Sequence, residues 1–440
     1  MTSVFLNYTS KGIRYLAILL LVGCAKAQYF EPIELRTEKI NIENSNYNTS
    51  SIQSPWMSLP QINVLQAKIK ASTIATRSID LSRSLNVSVI SNSGAVPNNE
   101  DRLEGYTDAS VVAEKPLYDG DKIALRTKIS KVETQSLIID LERTLNNITA
   151  DITEQQLTIS LSIEAKQIID TLLLDYEESK PMLETLVSAG VVQKLEYLDL
   201  EQKIQGIIAS RDAFDTKQKQ AEMLLQTKYA KIKLPPTPSF ENIIDIKLEN
   251  LDGLQLKELK LNKQILQLNR QLKKADKSWG VSFASTATVR TNENSPQLFS
   301  GLKLSLPVYD GGAVDAALKS IDEELNALTA EIEAYQITRK TVQSTWSNNV
   351  QAYTRALEIN KSQIDLINES QIDLDRQLGA GRVKLDQVVS NKLTLLGLKL
   401  KKIDLKQELI AQALVATGFF EAGCRLNEMC AEINSFINSL

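Results

Sequence analysis

Two short motifs recur along the chain at the same spacing, and this repeat constrains the fold more than any other feature. The segment PLYDG at 116–120 returns as PVYDG at 307–311, which is 191 residues later. The segment AGVVQKL at 189–195 returns in looser form as AGRVKLD at 380–386, again 191 residues later. Repeats at a fixed period mark repeated structural units, so we predict that the chain contains two copies of one unit.

Each copy contains two stretches in which apolar and polar residues alternate, which is the pattern of a β-strand with two different faces. The four stretches are 85–93, 109–117, 280–290 and 298–308. In the last stretch, Leu302 and Leu304 flank Lys303. About ten residues is the length that a tilted strand needs to cross a bilayer. The alternation predicts that Arg290 and Lys303 line the polar lumen of a barrel, unless the register slips by one residue.

After each Tyr-Asp-Gly motif, apolar residues recur at the three-and-four spacing of a coiled coil. The stripes are Ile138, Leu141, Leu145, Ile148 and Ile152 in the first copy, and Leu318, Ile321, Leu325, Leu328, Ile332 and Tyr335 in the second. We predict two helices of about 68 residues, each about 100 Å long. They run over 119–188 and 310–379, with Asp119 and Asp310 as N-caps. Ala-Gly pairs then turn the chain into returning helices.

These patterns predict a mainly α fold with a small β portion, and the strands constrain how it assembles. A bilayer offers no water to backbone N–H and C=O groups, so strands cross it only in a closed barrel. Four strands cannot close alone, because about eight are the practical minimum. Several protomers must therefore share one transmembrane β-barrel, which the long coiled-coil helices would continue as a tube.

These features together resemble the TolC-like outer-membrane efflux protein family. The resemblance is carried by the strand end LPVYDGG at 306–312, its copy LYDG at 117–120, the turn at Gly381 and the repeat itself. It implies a homotrimer in the bacterial outer membrane, with four strands from each protomer in a twelve-stranded barrel and a periplasmic α-barrel below it. It also implies two partners, which are a periplasmic adaptor (membrane fusion) protein and an inner-membrane pump or ABC transporter.

The resemblance implies that the chain is an exit duct and not an enzyme. The cargo is either small toxic molecules or a protein exported by type I secretion, and the channel sequence does not separate the two. The alternative is a structural periplasmic adaptor or scaffold protein, for which bilayer-length strands would have no use. The chain has no histidine and a formal net charge of −4. We therefore expect no histidine-based catalysis or metal binding, no cofactor and no nucleic-acid partner.

The turns between the long and the returning helices form the inner tip of such a tube. The residues predicted to contact the adaptor are Gly190, Val191, Gly381 and Arg382. The residues predicted to form the pore aperture are Arg382, Lys384 and Asp386. In a threefold arrangement these charges come close to their own copies or to Glu196 and Asp199 of the first hairpin, and ion pairs there would hold the tip closed. The alternative for Asp386 is a solvated carboxylate on a helix face, with no role in the aperture.

The N-terminus has the features of a bacterial export signal, predicted over 1–23. The sequence LVGC at 21–24 matches a lipobox, in which cleavage before Cys24 leaves a thiol for a lipid anchor. The sequence AKA at 25–27 is an alternative site for plain cleavage before Gln28. An uncleaved segment is the third possibility.

The remaining chain divides at its composition changes. The predicted segments are a polar N-terminal segment over 24–60, repeats over 61–234 and 235–420, and a C-terminal tail over 421–440. Cys424 and Cys430 lie in this tail. Six residues of straight helix rise about 9 Å, which is beyond disulfide reach, so the two pair only if the chain turns. A disulfide there would hold a tail beyond the channel body.

Overall fold

We describe the protein from a computed structural model, which covers residues 55–97, 103–248, 251–290, 297–380 and 382–439. The predicted export signal and Cys24 lie outside the described residues, as do Gly381 and the backbone of the polar turn 291–296. In the part of the chain that the structure describes, no helix combines the length and the apolar character that crossing a membrane requires.

The described elements follow one another in two similar series. The first series is α1 (Pro60–Leu81), β1 (Asn86–Pro97), β2 (Leu103–Tyr118), α2 (Lys122–Ser188) and α3 (Lys194–Tyr229). The second is α4 (Phe240–Ile244), α5 (Leu254–Ala275), β3 (Gly280–Arg290), β4 (Gln297–Ser305), α6 (Ala313–Gly379) and α7 (Leu385–Phe419). Short 3₁₀ helices at Pro55–Ser58 and Gly423–Leu426 flank the two series, and α8 (Cys430–Asn438) ends the chain.

The two long helices have the same length, 67 residues each. At about 1.5 Å per residue, each rises about 100 Å. The helices that precede the strands also match, at 22 residues each. The predicted mainly α fold, with two long helices and four strands, is confirmed.

The predicted N-caps act from slightly outside the helices, which begin three residues after each aspartate. The Asp119 carboxylate accepts a hydrogen bond from the Ile123 N–H at 2.6 Å, and the Asp310 carboxylate accepts one from the Val314 N–H at 3.1 Å. A left-handed residue intervenes, since Gly312 before α6 has a φ of 82°. The carboxylates therefore satisfy first-turn amides as expected, but the cap position itself was predicted wrongly.

The four strands form one antiparallel sheet in the order β1-β2-β3-β4. The first hairpin is longer than predicted, with strands of 12 and 16 residues. Strand β4 is shorter than predicted, because Ser305 pairs with Gly280, where β3 begins. The residues after Ser305 have no β3 residue opposite them, and the strand ends there. Both β1 and β4 are edges of the sheet in the single chain.

The segment 55–59 and the helix α8 pack on the part of α2 that contains residues 141–152. Trp56 and Leu59 are buried against α2, so the end of the predicted polar segment 24–60 belongs to the core. The prediction of a tail beyond the channel body is also wrong, because Ile433 and Phe436 of α8 are buried in the same cluster. Their three-residue spacing gives the short helix an apolar face that can be covered only by the body.

The two tail cysteines form a disulfide with their Cα atoms 4.9 Å apart. The chain makes the required turn at Glu428, whose φ is 62°. The Cys424 N–H donates to the side-chain oxygen of Asn146 on α2 at 3.0 Å. At Gly423 an added Cβ would collide with the Asn146 carbonyl oxygen. The disulfide thus holds a tight contact between the tail and the body.

Candidate functional site

The sheet has one apolar face and one polar face, because the register keeps residues of like character in line across the strands. Residues on the apolar face include Val87, Val89, Val111, Ala113, Val281, Phe283, Ala287, Val289, Leu298, Leu302 and Leu304, together with the polar Ser91, Ser93, Thr107, Ser285 and Ser300. Seven of these apolar side chains are exposed in the single chain, for example Val89 at 74% and Leu302 at 70%, and Val111, Ala113, Val281 and Ala287 are half-buried. Water is a poor environment for such a surface, which indicates that another medium or molecule covers it.

The opposite face is mostly polar. It includes Asn86, Ser88, Asn92, Asp108, Ser110, Glu114, Ser282, Thr286, Thr288 and Lys303, together with the apolar Ile90, Val112 and Phe299. Ser282 donates to Glu114 at 2.8 Å, and the Lys303 ammonium lies 4.0 Å from the same carboxylate. The register also places position 290 opposite Asp108 on this side. The predicted lumen residues therefore lie at polar-face positions.

The first tip turn ends α2 with a Schellman motif. The Gly190 N–H donates to the Val187 carbonyl at 3.0 Å, and the Val191 N–H donates to the Leu186 carbonyl at 2.9 Å. Gly190 has a φ of 73°, a left-handed value that glycine adopts at little cost. Open space surrounds its Cα, and Val191 is 61% exposed. This turn is therefore free to meet another molecule.

The second turn repeats the hydrogen bond that spans five residues, which in the first turn joins Val191 to Leu186. The Arg382 N–H donates to the Gln377 carbonyl at 2.8 Å, which is the equivalent closure after α6. Arg382 and Lys384 are exposed, and within the described part of one protomer no carboxylate lies within 4.0 Å of either. Asp199 instead pairs with Lys203 on its own helix at 2.7 Å. A pair between the tip charges and Asp199 is therefore absent within the described protomer.

Asp386 lies in the first turn of α7 and is half-buried. One of its carboxylate oxygens is buried without a hydrogen-bond partner among the described residues. The first turn of a helix favours a negative charge through its free N–H groups. This position is therefore compatible with an aperture role but does not require one.

A tyrosine-carboxylate cluster near the first tip was not identified from the sequence. Tyr176 and Tyr197 both donate to Glu201, the latter at 2.9 Å, and the Lys180 ammonium lies 3.3 Å from Glu201. The hydrogen bond from Tyr176 is the main cause that lowers the pKa of Glu201. Burial, followed by the hydrogen bond to Glu201, raises the pKa of Tyr197 to about 12. The cluster joins α2 to α3.

The distances of these residues from the turn at Gly190 were the sequence signal that could have predicted this cluster. Tyr176 precedes Gly190 by 14 residues and Glu201 follows it by 11. In an antiparallel helical hairpin, residues at similar distances from the turn face each other, so the pairing could have been predicted. An ion pair near this cluster joins the two hairpins, since the Lys392 ammonium of α7 lies 3.0 Å from the Asp175 carboxylate of α2.

Arg143 is the centre of a charged cluster in the middle of α2. Its guanidinium donates to Glu421 in the tail, to Glu258 of α5 at 2.5 Å and to Asp140 at 2.7 Å. Burial alone would lower the pKa of Arg143, but the hydrogen bonds to Glu421 and Glu258 raise it instead. The cluster ties three separate segments together. Among the described residues, no three acidic or cysteine side chains are grouped as a metal site.

Comparisons with known proteins identify the fold. No protein-family model and no curated protein matches the sequence. Solved structures do match, including the outer membrane protein VceC from Vibrio cholerae, with a TM-score of 0.69 and 10% identity over 84% of this chain and 94% of that chain.

Two further solved structures agree. The outer-membrane channel OprN has a TM-score of 0.66 and 15% identity, over 84% of this chain and 88% of that chain. The CmeC outer membrane channel of Campylobacter jejuni has a TM-score of 0.65 and 8% identity, over 87% of this chain and 86% of that chain. The likeness spans most of every chain compared, and the protein therefore has the TolC-like fold of these outer-membrane channels.

Proposed function

We propose that the protein is one subunit of an outer-membrane exit duct that crosses the outer membrane and extends into the periplasm. The observation that carries this proposal is the two-faced sheet. Its apolar face is exposed, its polar face carries charge, and its β1 and β4 edges are unpaired in the single chain. Lipid would cover the first face, an aqueous lumen would solvate the second, and neighbouring copies would pair the edges.

Three copies would supply twelve strands, which is within the range of closed membrane barrels. Strand β1 and strand β4 run in opposite directions, so the β4 edge of one copy can pair with the β1 edge of the next in the antiparallel sense of the sheet. The helices of about 100 Å would continue the duct on one side of the membrane. VceC, OprN and CmeC, which share this fold, are outer-membrane proteins.

The residues of the tip are part of this proposal. The turns containing Gly190, Val191 and Arg382, together with Gly381, would contact a periplasmic adaptor, which links the duct to an inner-membrane pump or ABC transporter. Arg382, Lys384 and Asp386 would line the inner aperture. The exposure of both turns supports such contacts. Cargo would be small toxic molecules or a secreted protein, according to the pump.

The attachment at the N-terminus is proposed from the sequence alone. A lipid on Cys24 would anchor each subunit in the outer membrane. Intact-mass measurement of the mature protein separates this from cleavage before Gln28. A diacylated N-terminal cysteine supports the anchor, and an N-terminus at Gln28 contradicts it.

Fractionation followed by native mass measurement in detergent tests the central proposal. We expect the full-length protein in the outer-membrane fraction, with a mass of three protomers, and stepwise conductance after insertion into planar bilayers. A stable water-soluble monomer contradicts the duct. That result would favour the alternative of a periplasmic adaptor or scaffold, although such a protein gives no reason for an exposed apolar sheet.

A further inference from the structure

Among the described residues of the apolar sheet face, Lys115 is the one that carries a charge. It lies opposite Phe283, which in turn lies opposite Leu302, so the register surrounds the lysine with apolar neighbours. Its side chain is exposed, and no carboxylate among the described residues lies within 4.0 Å of its ammonium group. A lysine on such a face is favoured where its ammonium group reaches the membrane–water interface and meets an anionic group there.

An aromatic pair lies beside Lys115, at the end of the sheet nearest the helices. The rings of Tyr118 and Trp279 have their centroids 4.5 Å apart, and both side chains are more than 40% exposed. Tyr118 pairs with Val281, which places it on the same face as Lys115. Tyrosine and tryptophan are enriched where the hydrocarbon of a bilayer meets its headgroups, because one part of each ring is apolar and another is polar.

The lysine on the other face is in a different environment. Lys303 lies at a polar-face position, opposite Ser282, with the Glu114 carboxylate 4.0 Å away. The sheet therefore supplies a counter-charge to Lys303 but none to Lys115. This difference separates a lysine of a solvated lumen from a lysine that faces a charged group in its surroundings.

We propose that Lys115, Tyr118 and Trp279 form a binding site for the headgroup phosphate of an anionic phospholipid, in the leaflet nearest the helices. This inference rests on the membrane insertion proposed above. The lysine stem would lie along the apolar face while its ammonium group reaches the phosphate, and the aromatic pair would contact the lipid below the headgroup. Three such sites would fix the height of the duct in the bilayer.

Native mass spectrometry of the full-length protein in detergent, titrated with phosphatidylglycerol, tests this site. Because one lysine at an anionic surface is worth about 1 kcal/mol, we expect Lys115→Gln to weaken phosphatidylglycerol binding about fivefold. Lys115→Arg should retain most of the affinity. Lys303→Gln removes the same charge from the opposite face and is the matched control, which should bind like the unaltered protein.

Further arms of the experiment separate the possible failures. Equal binding by Lys115→Gln and the unaltered protein overturns the site, as does an equal loss in Lys303→Gln. Displacement of the lipid by millimolar glycerol phosphate overturns the lipid assignment in favour of a soluble phosphate. A protein that never partitions into bilayers overturns the proposed function and this inference together, whereas loss of the lysine effect in an inserted protein overturns the inference alone.

Discussion

The two long helical hairpins, α2–α3 and α6–α7, have nearly the same lengths but are held together by different interactions. Ion pairs join the first hairpin: Lys166–Asp215, Arg211–Asp170, Lys228–Asp151 and Lys180–Glu201. Amide hydrogen bonds join the second: Asn349–Gln412, Asn360 to the Leu398 carbonyl, and Asn391–Gln371. Within the described residues, no ion pair connects α6 to α7.

The burial of apolar side chains also differs between the two long helices, α2 and α6. Leu145, Ile148 and Ile152 are buried in α2, but the positions 191 residues later in α6 are Gln336, Arg339 and Gln343. Trp56, Leu59 and the helix α8 cover this part of α2, whereas α6 exposes several large apolar side chains. These are Ile337, Ile359, Leu366 and Ile372. The first hairpin exposes large apolar side chains as well, among them Leu174 and Leu195. The difference therefore lies around Leu145, where α2 is covered and the equivalent positions of α6 are polar.

The largest effect on stability should come from truncating the covered core of α2. Leu145 is fully buried, so we expect Leu145→Ala to lower the free energy of unfolding by about 2–5 kcal/mol. Gln336→Ala, at the equivalent position of α6, should change it by no more than about 0.5 kcal/mol. Thermal unfolding of the two variants measures both. Equal losses would contradict the difference between the hairpins.

A charge placed among the amides of the second hairpin should have the next largest effect. Asn360 is 1% exposed and donates to the Leu398 carbonyl at 3.1 Å. Asn360→Asp removes that donor and buries an acidic group, so we expect a loss of about 1–3 kcal/mol at neutral pH. The reverse exchange in the first hairpin, Asp170→Asn, removes only a partly exposed pair and should cost far less. A larger loss from Asp170→Asn would reverse our ranking.

A smaller effect should appear at acid pH at Asp215 of the first hairpin. Hydrogen bonds from Lys166 and Lys219 lower the pKa of Asp215 to about 2. Because the folded state binds the proton less readily than the unfolded state, this contribution is complete above about pH 4 and is lost as the pH falls toward 2. Unfolding midpoints measured from pH 5 to 2 should therefore fall less steeply for Asp215→Asn.

The matched control for acid sensitivity is in the second hairpin. Gln412→Ala removes the amide bond to Asn349 without changing a group that titrates in this range. Its midpoint should shift by a constant amount at every pH. A change of slope in this variant would show that the acid sensitivity has another source.

The smallest effect on stability, but a change in transport, should come from the second tip. Arg382 and Lys384 make no ion pair among the described residues, so Arg382→Ser with Lys384→Ser should leave the melting temperature of the proposed trimer unchanged. If these charges close the aperture between copies, single-channel conductance in planar bilayers should rise. An intact trimer with unchanged conductance would show that they are ordinary solvated charges.

The sequence predicted those parts of the fold that depend on local periodicity. The lengths of α2 and α6 and the polar position of Lys303 follow from apolar spacing alone. The packing of the tail was predicted wrongly, because the contact between Cys424 and Asn146 joins residues 278 positions apart. The Arg143 cluster was missed for the same reason, since no local pattern indicates which carboxylates a helix meets in space.

The alternation of the sheet faces is the central claim, and cysteine accessibility in proteoliposomes tests it most directly. Leu302→Cys and Lys303→Cys differ by one position in β4 but lie on opposite faces. The unaltered chain provides the background, since Cys424 and Cys430 are joined in a disulfide. We predict that a water-soluble, membrane-impermeant maleimide labels Lys303→Cys rapidly and Leu302→Cys slowly. Equal labelling at both positions, or faster labelling at 302, would contradict a lipid-facing and a lumen-facing side.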